Sequence, residues 1–272
     1  MQKLKFLKVV IILFFQMERN SKIQALVLHV KQIGENNRLV TFLSVEKGVF
    51  TAVLYGGPKS KLRSLVSPYH FGNLWIYTDK VKNSTKITDF EVIKYHSEIR
   101  ENLYKNWCAS FCAELVIKTE ASGENEKCFR LANAFLDGIS ISSEDECRIA
   151  ILRFIWRYLD LMGLQPECKC CVHCEEGLDK SAFYSSLDDG FICEDCSLQN
   201  ETTSANPNVG QFHLSSSAIA FLQSVTYLSA KEARNVPLRY SDSSELHEFL
   251  FFLIDTATEH KLKTLILEQS LR

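Results

Sequence analysis

The chain has 272 residues, 46% of them hydrophobic and 24% charged, with 11 glycines, 5 prolines and a formal net charge of −2. That make-up excludes a disordered, collagen-like or fibrous chain and is long enough for two domains with separate cores. Ten cysteines would suit a secreted disulfide scaffold only in a short chain; here six of them fall within 168–196 at metal-like spacings, so a reducing, cytoplasmic setting is expected.

The opening MQKLKFLKVVIILFFQ sets lysines ahead of seven apolar residues, Val9 to Phe15. Seven residues cannot span a bilayer, and no A-x-A-like cleavage site follows. Residues 1–16 are therefore expected to lie upstream of the true start at Met17, in preference to forming an extra strand or helix, or a signal or anchor. From Met17 to Tyr95 the pattern is β. Ile23–Val30, Arg38–Val45, Gly48–Tyr55, Phe71–Thr78 and Thr85–Tyr95 are rich in Val, Ile, Phe and Tyr, and turn residues separate them. Five such strands predict a small barrel or sandwich over 17–96. The OB-fold β-barrel is the five-stranded form that binds nucleic acid on its face and loops, and Lys59–Val66 would supply its short helix.

After Tyr95 the period becomes helical. Leu103, Trp107, Phe111 and Leu115 recur at i+4 and predict one amphipathic helix that stops at Gly123. A second helix is expected over Glu124–Leu136. A third opens at Ser143-Glu-Asp-Glu146, a capping box, and ends at Gly163 and Pro166. The cysteine module 168–197 follows, then a polar linker over 200–210, a helix over Ser215–Leu228 and one long or broken helix over Glu245–Leu267. Together 97–272 reads as a helical domain, making the whole an α+β multidomain protein.

Charge divides along the same boundary. Residues 17–95 hold twelve Lys or Arg against six acids, while 96–272 hold sixteen against twenty-seven. A basic β domain beside an acidic helical one suggests a polyanion for the first and protein for the second; any single one of the hairpin lysines Lys80, Lys82 and Lys86 commonly only solvates a turn, but that reading is weaker for the cluster.

Two C-x2-C pairs separated by fifteen to twenty residues make a recurrent tetrahedral zinc pattern, each pair forming a knuckle and the intervening chain returning as a hairpin. Cys171-Val-His-Cys174 and Cys193-Glu-Asp-Cys196 stand eighteen residues apart; pairing Cys168 with Cys171 stretches this to twenty-one and leaves Cys174 spare. The first choice fits better and makes Cys168 and Cys170 bystanders. Asp188-Asp189-Gly190 between Ala182–Leu187 and Phe191–Ile192 reads as the hairpin turn of a four-cysteine zinc ribbon. One structural zinc is expected, at a closed site that does not activate water. The rival reading takes His173-x-Glu175 with Cys193-x-x-Cys196 as a zinc deaminase motif, but Ile192 stands where that motif needs proline.

In order and spacing these parts resemble the RecO family of bacterial recombinational repair proteins. The stretches that carry the likeness are ALVLHVKQIGENNRLVTFLSVEKGVFTAVLYGG with PKSKLRS after it, LDLMGLQPECKCCVHC, GFICEDC and EHKLKTLILEQSL. The chain departs from the family pattern at Glu175, where many relatives have glycine, in its acidic helical domain and in residues 1–16. The resemblance implies a non-enzymatic mediator that binds single- and double-stranded DNA and anneals complementary strands coated with single-strand-binding protein. It also implies that RecR joins it in helping to load the RecA recombinase. Lys31 and Arg38 beside the first turn, Lys47 at the second, and Lys59, Lys61 and Arg63 in GGPKSKLRS are the candidate phosphate contacts. Tyr55, Tyr69, Phe71, Trp75 and Tyr77 could stack on bases, but core packing is the expected role of each. A pure protein-interaction scaffold that binds no DNA is the remaining alternative.

Overall fold

The computed structural model describes residues 20–57, 60–200, 211–233, 235–238, 240–258 and 262–268. The 1–16 extension, Lys59 and nearly all of the expected 200–210 linker lie outside them. Two compact units divide the chain at Ile141/Ser142.

In the first unit, β1 (Asn20–Ile33), β2 (Asn37–Ser44), β3 (Gly48–Leu54), the one-turn helix α1 (Lys61–Leu65), β4 (Phe71–Asp79) and β5 (Ser84–Lys94) form a closed barrel, ordered β1-β2-β3-β5-β4. Every neighbouring pair is antiparallel except β3 with β5. The registers explain closure. Passing sideways, Gln32 faces Arg38, Arg38 faces Leu54, the adjacent Val53 faces Lys86, Lys86 faces Tyr77, and Tyr77 faces Asn20. The circuit leaves β1 near its C-terminal end and returns at its N-terminal end, which is the tilt five strands need to wrap a filled core.

Alternation of side chains supplies that core: Ile23, Ala25, Val27, Val40, Phe42, Ala52, Leu54, Leu74, Ile76, Ile87 and Phe90 point inward, and Val66 after α1 joins them. The small Ala25 and Ala52 leave room for Phe42 and Phe90, whose ring centroids are 6.3 Å apart. Each buried large side chain contributes roughly 1.5–3 kcal/mol. Gly72 has a separate task. The register between β4 and β5 shifts there, and a Cβ would fall on the Glu91 carbonyl oxygen, so only glycine lets the strands approach.

The same unit carries helices on the barrel: α2 (Glu98–Glu101), α3 (Leu103–Lys118), a 3-10 turn over Glu120–Gly123, and α4 (Asn125–Ile141). The single amphipathic helix expected up to Gly123 is broken at Asn102, whose backbone is extended (φ −125°, ψ 127°) and whose side chain accepts a hydrogen bond from the Lys105 amide. Nor is α3 amphipathic. It buries Tyr104, Trp107, Cys108, Phe111, Cys112, Leu115 and Val116, because β1 and α4 both pack on it. Phe71 meets Phe129 edge to face at 5.9 Å, Tyr69 bonds Ser110 at 2.8 Å, and Asp137 accepts from Lys94 (2.5 Å) and His96 (2.8 Å).

The second unit contains α5 (Glu144–Leu161), β6 (Ala182–Ser185), β7 (Gly190–Cys193), α6 (Glu194–Asn200), β8 (Gln211–Leu214), α7 (Ser216–Tyr227), α8 (Ala230–Ala233), α9 (Tyr240–Ala257) and α10 (Lys263–Glu268). The capping box at Ser143 and Glu146 forms in full. The expected hairpin is the β6–β7 pair, extended by β8 into a three-stranded sheet. Fully buried Phe249 of α9 packs against Tyr184, Phe191, Phe212 and Trp156 at centroid distances of 4.9, 5.6, 5.7 and 6.5 Å. The sheet is thereby part of this unit's core.

Candidate functional site

The sulfur atoms of Cys171, Cys174, Cys193 and Cys196 all lie within 4.8 Å of one another. Local chain geometry brings them there. Cys170 bridges to Gly177, Leu178 N donates to Lys169 O (2.9 Å), and Cys171 N donates to Glu176 O (2.8 Å), so 169–178 folds as a tight knuckle. Val172 N then donates to Phe191 O at 2.9 Å, and a Cβ on Gly190 would strike the Val172 side chain, so the knuckle lies directly on β7. Cys193 ends β7 and Cys196 sits in α6. From the other side, Gln223 of α7 donates to Cys168 O (2.9 Å) and Leu178 O (2.8 Å), fixing both flanks of the knuckle.

The geometry fits one ion. Cys174 and Cys193 sulfurs stand 3.7 Å apart, and a tetrahedron with metal–sulfur bonds of about 2.3 Å has edges of roughly 3.8 Å. The protonation pattern agrees. Burial opposes ionisation of Cys171, but amide donors from Cys193 (3.3 Å), Cys174 and His173 (3.4 Å) outweigh it and bring that thiol down to about 6. Cys196 is pushed well up, chiefly by sharing hydrogen bonds with the Cys193 and Cys174 thiols. Four sulfurs this close cannot all ionise unless a cation lies among them.

Cys168 and Cys170 stand outside the cluster. Cys168 is buried beside Thr226 (3.9 Å), and burial raises its thiol to about 11. The His173 imidazole is not part of the cluster, its Nε2 standing 3.3 Å from Asp188 Oδ1, so the His-x-Glu arrangement of deaminases is not assembled.

The candidate cations divide between two places. Lys31 pairs with Leu39 near the β1–β2 turn, where Arg38 also lies, and Arg38 Nη1 donates to the Arg63 carbonyl oxygen at 3.1 Å, holding α1 against the end of β2. Lys61 is exposed at the start of α1. Arg63 is half-buried, and its Nη1 is shut off from solvent without a hydrogen-bond partner. Burial first, and then the charge of Arg63, lower the Arg38 pKa. Among the described residues no carboxylate forms an ion pair with either guanidinium. Lys47 sits at the opposite end of the β2–β3 hairpin, about 20 Å along the strands. There its ammonium lies 6.0 Å from the Phe50 ring.

Lys86, grouped by sequence with the hairpin lysines and not with the candidate phosphate contacts, neighbours Val53 across β3–β5, beside the strand end that faces Arg38. Core packing, expected for five aromatics, fails for three: Tyr55 is exposed, and Trp75 and Tyr77 are half-buried on the barrel's outer face, because the inward positions of β4 are Gly72, Leu74 and Ile76. Strict alternation through LWIY was the signal.

Among the described residues no helix is long and apolar enough to cross a membrane. Two family profiles match the chain, Recombination protein O N terminal over residues 17–96 and Recombination protein O C terminal over residues 100–266. The DNA repair protein RecO of Bacillus subtilis (strain 168) is 30% identical over 179 residues, covering 65% of this chain and 68% of that protein. The protein of the same description from Thermoanaerobacter sp. (strain X514) is 31% identical over 192 residues, covering 68% and 74%. With an OB-like barrel in one unit, a four-cysteine ribbon in the other, and profiles matching across nearly the whole described length, the chain belongs to the RecO family of DNA repair proteins.

Proposed function

We propose that this protein is a non-enzymatic mediator of recombinational repair in the cytoplasm. It binds single- and double-stranded DNA and anneals complementary strands coated with single-strand-binding protein. With RecR it helps load RecA. The observation that carries the reading is the cationic end of the barrel, where the Arg38 guanidinium donates to the Arg63 backbone carbonyl, the charge of Arg63 acts on Arg38, and no carboxylate among the described residues pairs with either. Two cations at one barrel end without a counter-charge repel each other, and an oxyanion drawn to them offsets that repulsion. Phosphate is the oxyanion that nucleic acid offers, and arginine forks suit it. Lys61 opens the one-turn helix that carries Arg63, and Lys59 precedes it in sequence, while Lys31 lies at the same barrel end on the outer face, since it pairs with Leu39 and not with Arg38.

Zinc is the metal that best suits four thiolates in a closed tetrahedral set. When bound it supplies cross-linking of the two knuckles and no open position for water. Cys171, Cys174, Cys193 and Cys196 hold it, and the aromatic cluster around Phe249 transmits that order to α5 and α9.

Salt dependence tests the DNA surface. Joint replacement Lys59→Ala, Lys61→Ala and Arg63→Ala should flatten the slope of log affinity against log salt on a mixed-sequence single strand by roughly 2, at about 0.7 for each phosphate no longer neutralised. A folded triple variant whose slope is unchanged would remove this loop as a phosphate-binding element.

A further inference from the structure

The outer face of the barrel across β1, β4 and β5 carries an arrangement that the phosphate contacts do not use. Trp75 and Tyr77 are two residues apart on β4, so their side chains share one face, from backbone positions about 6.7 Å apart along the strand. Each is covered by an ammonium from the neighbouring strand. Lys22, opposite Trp75 on β1, holds its Nζ 4.5 Å from the indole centroid; Lys86, opposite Tyr77 on β5, holds its Nζ 4.7 Å from the phenol centroid. The β4–β5 turn just beyond carries Lys80 and Lys82, and the Asp79 side chain fixes that turn by accepting from the Val81 and Lys82 amides.

We infer that Trp75 and Tyr77 form a stacking platform for two successive unpaired nucleobases of a single strand. Lys22 and Lys86 move off the rings to the flanking phosphates as the bases arrive. This deepens the proposed function and rests on it, since it names the unpaired strand as the form bound at this face. The exchange is balanced in kind. Each ring trades a cation for a base, and each ammonium exchanges a weak ring interaction for a phosphate. A duplex cannot use the platform because its bases are already stacked and paired.

Charge on the face sets a direction. Asp89 lies opposite Trp75, and Glu91 accepts from Asn73 at 2.9 Å, so carboxylates border the later part of β5. Phosphates are repelled there and drawn toward Lys86 and the Lys80–Lys82 turn. Lys86 adjoins the strand end that faces Arg38, so a strand crossing the platform continues toward the arginine pair.

Fluorescence reads this directly. Of the three tryptophans, Trp107 is 5% exposed and Trp156 0%, leaving Trp75 as the half-exposed reporter. The full-length protein is titrated with fluorescein-labelled oligothymidylate, with an abasic deoxyribose-phosphate strand of equal length, and with a duplex. Anisotropy of the label follows binding while intrinsic emission follows stacking. The expected result is that all three bind but only oligothymidylate quenches tryptophan emission. The quench should vanish in Trp75→Phe, and Tyr77→Ala should weaken oligothymidylate roughly ten- to a hundred-fold while barely altering the abasic strand. Oligothymidylate that binds without quenching, or equal quenching by the abasic strand, overturns the platform and leaves the phosphate contacts standing. Absence of binding by all three overturns the proposed function itself.

Discussion

Glu175 carries a left-handed backbone, φ 63°, at the turn that closes the first knuckle. A side chain there costs roughly 1–2 kcal/mol relative to glycine, which accounts for the glycine that the family pattern favours at this position. Asp137 illustrates a second residue-scale effect. Burial alone would raise its pKa, but hydrogen bonds and charges from Lys94 and His96 outweigh it and hold the carboxyl below its ordinary value. A depressed folded pKa means that the contribution is present above the unfolded value near 4 and is lost as pH falls through the folded value. The Asp137 side chain is 37% exposed, so solvent screening keeps the effect to about 1 kcal/mol. Asp137→Asn should accordingly melt below the parent at pH 7, with the gap narrowing below pH 4. A gap of constant size down to pH 3 would assign the loss to packing. Cysteine spacing in the sequence marked the four sulfurs that come together. What spacing alone could not supply was the approach of Arg38 to Arg63, which depends on α1 folding back over the end of β2.

At the scale of elements, legibility followed period and punctuation. The five barrel strands were readable because strict alternation and turn residues mark them, and α5 because its capping box is written in Ser143 and Glu146. The element α3 was misread, since a helix buried on most faces has no polar stripe from which to judge its environment. The strand β8 was missed because QFHL is only four residues long, and its partner β6 lies across a long connection. The ribbon permits a direct test of its ligands. Cys193→Ser should remove one zinc per chain and lower the melting temperature of the second unit by several degrees, while Cys168→Ser or Cys170→Ser retains the metal. Metal content and thermal denaturation of the same samples check this. Full occupancy in Cys193→Ser, or metal loss in Cys168→Ser, would redraw the ligand set.

For the whole molecule, charge is divided between a basic barrel in one unit and, in the other, a helical unit of opposite charge that carries the four-cysteine cluster. The proposed mode, phosphate contacts with stacking as its base contact, would leave hydrogen-bonding edges free, as the proposed pairing of complementary strands requires. Nothing in that chemistry needs a nucleoside triphosphate. The most direct measurement is therefore the rate at which the purified full-length protein anneals two complementary labelled single strands without added nucleotide, over a range of salt. Acceleration well above the protein-free rate, declining as salt rises, is the result expected. A rate equal to the protein-free control at low salt, from protein that is folded and metal-loaded, would contradict it.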